Sequence, residues 1–277
     1  MEDLRDKVAV ITGAASGIGR AVATRAASEG MRVVLADIEE APLEEVEAAL
    51  SNDGADVVSA VTDVSDAVSV RELREVALRR FGAVHLVHNN AGIGAGGLVW
   101  EVPEETWKWI FGVNLWGVVH GISTFVPLLV EQGEGHVVNT ASIAGLTSAP
   151  FMGPYNATKH AVVTISETLY KDLQVVGSPV GVSVLCPGFV QTRIAESERN
   201  RPDWVPSRPA ANGPEMRGVL QSLVDGGIPA RTVADAVMDG VRANRFYILT
   251  HPGLTSGIET RLRDVLEGRS PSPTMIA

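Results

Sequence analysis

Short apolar runs rich in β-branched residues alternate with helix-like patterns along most of this chain. The strand-like runs are 8–12, 32–36, 56–61, 84–88, 136–139, 180–185 and 246–249. Helical patterns cover 17–29, 41–50, 68–80, 104–131, 155–176 and 233–243. Nearly continuous apolar strands that are separated by helices are typical of a parallel sheet covered on both faces. The alternation therefore predicts an α/β fold, with a doubly wound parallel sheet of about seven strands in a single domain.

Composition supports a folded domain and excludes several classes of function. Hydrophobic residues make up 45% of the 277 positions and charged residues 20%, which excludes a disordered chain. The net charge of −10 argues against a nucleic-acid binder and against attachment to an anionic membrane surface. The N-terminus lacks the basic and apolar regions of a signal peptide, and the single Cys186 fits a reducing compartment, so we expect a cytoplasmic protein.

Three intervals depart from the regular alternation. Residues 109–130 carry no charged side chain, but Asn114, His120 and Pro127 favour a buried helix at a subunit contact over a membrane span. Residues 193–227 are rich in Pro, Arg and Glu, and they predict either a lid over a substrate or a surface insertion. Residues 267–277 read as a loose tail.

A glycine-rich turn joins the first strand to the first helix. Gly13, Gly17, Ile18 and Gly19 lie where the strand ends and the helix begins. Glycine tolerates positive φ and lets a ligand approach the backbone, while a helix N-terminus offers free N–H groups to a pyrophosphate. The alternative is a tight turn without a ligand. The strand-to-helix context favours a dinucleotide site.

An acidic residue ends the second strand. Asp37 is placed to hydrogen-bond both ribose hydroxyls of an adenosine and to repel a 2′-phosphate. No Arg or Lys occurs in 38–40, so the sequence favours NAD over NADP. The alternative is an acidic residue in a solvated turn.

Two further polar turns follow the third and fourth strands. Asp63 and Val64 are placed to face an adenine, although Asp63 also suits an ordinary helix cap. Asn89 and Asn90 lie beside the same crevice, where structural and cofactor roles are compatible.

A Ser, a Tyr and a Lys are placed for proton chemistry. Ser142 follows the fifth strand, and the i,i+4 spacing puts Tyr155 and Lys159 on one helix face. Two charges about 4 Å apart at an effective dielectric of about 20 interact by roughly 4 kcal/mol. Lowering a phenol pKa from about 10 to about 7 requires a similar energy. One lysine is therefore expected to make Tyr155 a proton acceptor at neutral pH.

In order and spacing, these motifs resemble the short-chain dehydrogenase/reductase family over about residues 7–250. The matching positions are the Thr12–Gly19 glycine motif, Asn89–Gly92, Asn114, Ser142, Tyr155 with Lys159, Pro187–Gly188 and Thr192. The resemblance implies a Rossmann-like fold that binds NAD(P). We interpret His88 as a hydrogen-bonded strand residue and Cys186 as a small buried residue, neither with a catalytic role.

The resemblance also implies a role for each matching residue. Tyr155 would be the general acid/base, Ser142 would hold the substrate oxygen, and Lys159 would lower the Tyr155 pKa and bind the nicotinamide ribose. Asn114 would connect Lys159 to a water chain. The implied cofactor contacts are Gly13, Gly17, Ile18 and Gly19 to pyrophosphate, Asp37 and Asn90 to ribose, Asp63 and Val64 to adenine, and Pro187, Gly188 and Thr192 to the nicotinamide.

The predicted function is hydride transfer between NAD and a secondary alcohol or ketone. The substrate is expected to be apolar, alicyclic or steroid-like, because the residues expected near the pocket are mostly apolar. They are Gly94–Gly97, Ala144, Leu146, Phe151, Met152, Trp204, Val205 and Met216. Arg193 or Arg199 would pair with a substrate anion or remain solvated. Alternatives are an isomerase or lyase that uses NAD transiently, and a non-catalytic cofactor-binding protein. No metal site is expected, and the resemblance suggests a homotetramer or homodimer.

Overall fold

The structure, a computed structural model, describes residues 1, 3–206 and 213–272. The strands are β1 Val8–Thr12, β2 Arg32–Asp37, β3 Val57–Val61, β4 Leu86–Asn89, β5 His136–Thr140, β6 Gly181–Cys186, β7 Val190–Gln191, β8 Ile228–Pro229 and β9 Tyr247–Leu249. The helices are α1 Gly17–Ser28, α2 Glu40–Asn52, α3 Ala67–Phe81, α4 Glu104–Phe111, α5 Gly117–Gln132, α6 Gly153–Val175, α7 Gly213–Asp225, α8 Ala230–Arg242 and α9 Thr255–Leu266.

Seven strands form one parallel sheet in the order β3-β2-β1-β4-β5-β6-β9. The predicted doubly wound α/β fold is confirmed. The chain runs outward in one direction from β1 to β3 and in the other from β4 to β9, so the order reverses between β1 and β4. Ligands of such sheets bind outside the carboxyl ends of the strands at this reversal.

Two apolar layers cover the sheet because successive strand residues point to opposite faces. Ala9 and Ile11 of β1 pack with α1 and α8 residues on one face. Val8 and Val10 pack with α3, α5 and α6 residues on the other, where Phe125 is fully buried. Both faces of β1 are therefore core, which explains its uninterrupted apolar sequence.

The predicted helix over 104–131 is interrupted by one wide turn. Residues Gly112–Trp116 form a π-helical turn between α4 and α5. The combined stretch Glu104–Gln132 is long and apolar enough to cross a membrane by length and composition alone, since an 18-residue window within it has a mean hydropathy of 1.6. Within that stretch, Phe125 and Leu129 of α5 belong to the core beneath the sheet.

The C-terminal third is more regular than the sequence predicts. The interval 193–227, for which the sequence predicts a lid or a surface insertion but no regular elements, contains a 3-10 segment over Ile194–Asn200 and the helix α7. Residues 207–212 of that interval lie outside the described residues. Helix α9 was not predicted from the sequence. Its apolar residues do not mark one buried face, because Leu262 and Val265 are 50% and 68% exposed.

The predicted loose tail begins with an ordered stretch. The Ser272 backbone N–H donates to Asp264 Oδ2 at 2.8 Å, and Arg269 Nη2 lies 3.3 Å from Asp264 Oδ1. Residues 267–272 are therefore tied back onto α9. The remaining positions of the predicted tail, 273–277, lie outside the described residues.

Candidate active site

A cavity of about 1320 Å³ opens at the carboxyl ends of the strands. It brings together most of the residues that the sequence analysis selected. Those that line it are Gly13, Gly17, Ile18, Asp37, Asp63, Val64, Asn90, Ser142, Tyr155, Lys159, Pro187, Gly188 and Thr192. Gly19 and Asn114 are not among its lining residues.

The glycine turn leaves no room for side chains on its inner surface. Gly13 and Gly17 have φ of +68° and +53°, in the left-handed region that favours glycine. A Cβ on Gly13 would lie 2.9 Å from the Ala91 Cα, and one on Gly19 would lie 2.1 Å from the Gly13 carbonyl oxygen. Gly19 therefore lets the helix pack closely on the turn and is not itself a wall of the cavity. The open cradle at Gly13 and Gly17 fits a pyrophosphate.

Asp37 is held rigidly at the edge of the cavity. Its Oδ2 accepts a hydrogen bond from the Ala15 N–H at 2.9 Å, and its Oδ1 accepts one from the Glu39 N–H at 3.1 Å. Burial raises the pKa of the Asp37 carboxyl, while the Ala15 and Glu39 N–H groups act to lower it. The carboxylate is thus oriented by backbone donors and keeps acceptor capacity for a ligand in the cavity.

Asp63 and Asn90 both bond to their own surroundings as well as facing the cavity. Asp63 Oδ1 accepts from the Ser65 N–H at 2.9 Å and from its hydroxyl at 2.7 Å. Asn90 Nδ2 donates to the Thr12 carbonyl at 2.9 Å and so ties β4 to β1. The structural role expected for Asn90 is present beside its position on the cavity wall.

Ser142 caps a short 3-10 turn, Ile143–Gly145, at the end of β5. Its Oγ accepts from the Ala144 N–H at 3.1 Å and donates to the Pro187 carbonyl at 3.3 Å. These two bonds fix the hydroxyl at the cavity wall. The fixed hydroxyl is close enough to Tyr155 to act on its ionisation.

Tyr155 and Lys159 lie on one face of α6, as their spacing predicts. The Lys159 ammonium is 5.6 Å from the Tyr155 ring centroid, and both line the cavity. Lys159 Nζ donates to the Thr140 carbonyl at 2.8 Å. Burial lowers the Lys159 pKa from 10.5 to about 8, so the side chain remains mostly cationic at neutral pH.

The direction of the Tyr155 pKa shift differs from the expectation. Burial raises the pKa of the phenol above 10.0, and hydrogen bonding with the Ser142 side chain is the influence that lowers it. The lysine does not reverse the shift, and its ammonium donates a hydrogen bond to the Thr140 carbonyl. In this structure Tyr155 is therefore a protonated phenol at neutral pH.

Asn114 lies behind the cavity wall, in the π-helical turn. Its Oδ1 accepts from the Ile93 N–H at 2.8 Å, and its Nδ2 donates to the Ile93 carbonyl at 2.9 Å. It also lies behind Gly92, where an added Cβ would lie 3.4 Å from Asn114 Oδ1 and 3.7 Å from Lys159 Nζ. Asn114 is thus close to Lys159, but its amide is already paired with the loop after β4.

The three predicted nicotinamide contacts, Pro187, Gly188 and Thr192, also line the cavity. The Gly188 N–H donates to His251 Nδ1 at 3.0 Å, and a Cβ on Gly188 would lie 2.6 Å from Leu254 Cδ1. The Thr192 methyl packs against Gly17, where a Cβ would lie 2.9 Å away. The wall is therefore fixed by α1 on one side and by the turn before α9 on the other.

His88 and Cys186 are buried beneath the site. His88 Nε2 lies 2.8 Å from Thr140 Oγ1, and burial lowers the histidine pKa to about 3. Burial raises the pKa of the Cys186 thiol to about 12. A neutral, hydrogen-bonded histidine and an un-ionised thiol agree with the structural interpretation of both residues.

The outer part of the cavity is largely apolar. Of the residues predicted there, Gly94–Gly97, Ala144, Phe151, Met152, Trp204 and Val205 line it. Leu146 does not line it; this prediction is wrong, because the side chain packs against a core cluster instead. The side chain of Met216 lies outside the described residues. Trp100 and Trp109 also line the cavity and were missed, although Trp100 closely follows the glycine-rich 94–97 stretch.

Phe151 carries backbone strain at the entrance to α6. Its φ of +62° lies in the left-handed region, which costs a bulky residue on the order of 1 kcal/mol or more. The Phe151 carbonyl accepts from the Gly97 N–H at 2.7 Å, and a Cβ on Gly96 would lie 2.2 Å from the same oxygen. The strained residue thus locks the glycine-rich loop beside the helix that carries Tyr155.

Comparison with known proteins shows the family of this chain. A model of the short chain dehydrogenase family matches residues 7–203. The chain belongs to the short-chain dehydrogenase/reductase family. This membership makes it an oxidoreductase by family.

Several short-chain dehydrogenases/reductases are similar over nearly the whole chain. A crystal structure of one from Burkholderia phymatum in complex with NAD is 46% identical, with a TM-score of 0.97 over 99% of both chains. A 1-deoxy-11-beta-hydroxypentalenate dehydrogenase of Streptomyces avermitilis is 37% identical over 95% of this chain and 91% of its own. A CLA biosynthesis dehydrogenase/reductase of Lactiplantibacillus plantarum is 36% identical over 98% and 97%.

Proposed function

We propose that this short-chain dehydrogenase/reductase transfers a hydride between NAD and an apolar secondary alcohol or ketone, with Tyr155 as general acid/base. One observation carries the proposal. Ser142, Tyr155 and Lys159 line the same cavity as the open glycine turn and Asp37. Proton-handling groups and a dinucleotide cradle are thus present on one continuous surface.

The cofactor assignment rests on the shape and charge of the crevice. Gly13, Gly17 and Ile18 would hold the pyrophosphate, and Asp37 the adenosine ribose. Asp63 and Val64 would flank the adenine, and Pro187, Gly188 and Thr192 would hold the nicotinamide end. NAD, when bound, supplies the hydride acceptor or donor. The carboxylate of Asp37 disfavours a 2′-phosphate, and the similar Burkholderia phymatum protein was crystallised with NAD.

The protein's own residues would manage the proton. The raised pKa keeps the Tyr155 phenol protonated, so it is ready to donate to a ketone oxygen that the Ser142 hydroxyl holds. In the oxidative direction, the Lys159 ammonium would stabilise the phenolate that accepts the alcohol proton. The oxidative reaction would therefore depend more on the charge of Lys159 than the reductive one.

The apolar outer cavity supports an apolar substrate. The apolar residues that line the same cavity as Tyr155 include Trp100, Trp109, Phe151, Met152 and Val205, and Trp109 and Val205 belong to a cluster against which Tyr155 packs. Similar proteins include dehydrogenases named for a pentalenate and for CLA biosynthesis. We propose alicyclic or steroid-like secondary alcohols as the first class of substrate to screen. Net release of NADH would distinguish oxidation from isomerase or lyase chemistry.

Replacing the phenol tests the assignment. Tyr155→Phe is expected to lower kcat by about 100- to 10,000-fold, the usual contribution of general acid/base catalysis, with NADH affinity within about twofold of wild type. The measurements are NADH formation with a panel of cyclic alcohols and a fluorescence titration with NADH. Tyr170→Phe on the same helix, with the side chain 38% exposed, is the matched control and is expected to be fully active. Retention of most activity in Tyr155→Phe would exclude the proposed mechanism.

We also propose a homotetramer or homodimer and a cytoplasmic location. The helices α5 and α6 support the first proposal, because Val130, Tyr170 and Trp116 just before α5 are 39%, 38% and 52% exposed. Exposed apolar residues that form a contiguous patch mark protein–protein contacts. Sedimentation velocity of the purified chain tests the assembly.

A further inference from the structure

An ion pair joins two segments that line the cavity from different parts of the chain. Arg199 Nε lies 3.1 Å from both carboxylate oxygens of Glu39, and Arg199 Nη2 donates to Glu39 Oε2 at 2.8 Å. The Arg199 and Glu39 side chains are only 24% and 16% exposed. A two-pronged, partly shielded pair of this kind is stronger than an ordinary surface ion pair.

The remaining donors of Arg199 are also engaged. Its Nη1 donates to the carbonyls of Arg193 and Glu196, at 3.0 and 3.2 Å. A guanidinium has five N–H groups, and these bonds leave about one free. Arg199 is therefore committed to holding its own turn against Glu39, and it is poorly available as a ligand for a phosphate or a substrate anion.

The pair connects the two ends of the proposed dinucleotide site. Glu39 lies two residues after Asp37, and its N–H orients the Asp37 carboxylate. Arg199 belongs to the segment that follows Thr192, which packs against Gly17. The ion pair thus links the turn after β2, which would bind the ribose, to the segment after Thr192, which lies at the proposed nicotinamide end. The glycine turn lies between these two segments.

We propose that the Glu39–Arg199 ion pair is a positioning contact that holds the crevice closed around the dinucleotide and limits how fast it leaves. The proposal rests on the proposed NAD-dependent function. Both residues act through the segments they join, and neither is assigned a contact with the reacting atoms. Breaking the pair should therefore change cofactor residence more than the chemistry at Tyr155.

Release of NADH from the full chain, followed by stopped-flow fluorescence, tests the proposal. Glu39→Gln and Arg199→Met are each expected to release NADH about five- to tenfold faster than wild type. Because the Glu39–Arg199 bond is lost in both single variants, their effects on the release rate should not multiply in the double variant. Raising the salt concentration should accelerate release from wild type more than from the variants.

The matched control breaks another ion pair between two elements. Asp235→Asn removes the 2.9 Å contact with Arg25 between α1 and α8, and it should leave NADH release unchanged. Wild-type release rates in both test variants would overturn the proposal, as would additive effects in the double variant. Tighter NADPH binding by Glu39→Gln at an unchanged NADH release rate would also overturn it, because Glu39 would then act only on cofactor charge. Absence of NADH binding by wild type would instead refute the proposed function.

Discussion

Burial of the Lys159 ammonium leads to a prediction about the stability of the protein that does not depend on any substrate. Burial lowers its pKa from 10.5 to about 8, a shift equivalent to about 3 kcal/mol at about 1.4 kcal/mol per unit. That cost falls on the folded state at neutral pH. Removing the charge while keeping the volume, as in Lys159→Met, relieves it.

The expected gain is smaller than the full cost. The substitution also removes the hydrogen bond from Lys159 to the Thr140 carbonyl, which is worth about 1 kcal/mol net. Lys159→Met should therefore raise the free energy of unfolding of the cofactor-free protein by about 2 kcal/mol at pH 7. The same variant should lose the activity that depends on Lys159, so stability and activity change in opposite directions.

The pH dependence follows from the folded-state pKa being lower than the unfolded one. Between about pH 8 and 10.5 the unfolded chain binds more protons at Lys159, so wild-type stability gains from rising pH in that window. The advantage of the Met variant should therefore fall from about 2 kcal/mol at pH 7 to near zero at about pH 9.5. Cys186, with its thiol pKa raised to about 12, acts in the opposite sense above pH 9.0. Lys159 is one influence that lowers this pKa, but up to about pH 9.5 the folded thiol is un-ionised in both proteins, so its contribution is nearly the same.

Urea unfolding at a fixed protomer concentration, between pH 7 and about 9.5, measures the difference. Lys171→Met, at an exposed position of the same helix, is the matched control and should change stability by less than about 0.5 kcal/mol. A Lys159→Met protein no more stable than wild type at pH 7, or an advantage that does not vary with pH, would refute the reasoning.

Three further predictions concern the cofactor site and the thiol. Asp37→Ala should weaken NADH binding about tenfold or more, because it removes hydrogen bonds to a charged group, and it should therefore narrow the preference for NADH over NADPH. An unchanged ratio of the NADH and NADPH dissociation constants in fluorescence titrations would contradict this prediction. Gly19→Ala should abolish NADH binding and lower Tm, because its Cβ would lie 2.1 Å from the Gly13 carbonyl oxygen. The control Gly218→Ala, at a helical position with open space around it, should raise the free energy of unfolding by about 0.5–1 kcal/mol. Cys186, with its pKa raised to about 12, should resist a thiol reagent at about pH 8 until the protein is unfolded, and rapid labelling of the native protein would show otherwise.

Features set by local pattern were predictable from the sequence. The seven strands of the main sheet and most helices follow from apolar periodicity, whereas the short strands β7 and β8 were not predicted. The shared face of Tyr155 and Lys159 follows from their spacing on one helix. The glycine turn was recognisable because strand, glycines and helix are consecutive. The separate roles of the glycines in this turn were not predictable, because only the folded turn shows that Gly19 packs against Gly13 and does not face the cavity.

Features that depend on distant contacts were not predictable. Glu39 and Arg199 are 160 positions apart, so no local pattern links them. The direction of the Tyr155 pKa shift depends on how much solvent the fold excludes. The hydrogen bond that the Lys159 ammonium donates to the Thr140 carbonyl likewise appears only in the folded chain. Both are properties of the assembled site, whereas the spacing of Tyr155 and Lys159 indicates only that they are neighbours.

The wide π-helical turn at Gly112–Trp116 makes this part of the protein sensitive to chain length. A π turn holds one residue more than an α turn, so loss of a single residue would close it to an α turn and change the directions of the side chains within it, while α4 and α5 would keep nearly the same relative rotation. Asn114 would then face away from Ile93, and the loop after β4 would lose both of its side-chain hydrogen bonds to that amide. This turn is therefore expected to tolerate substitution of its residues better than deletion of one.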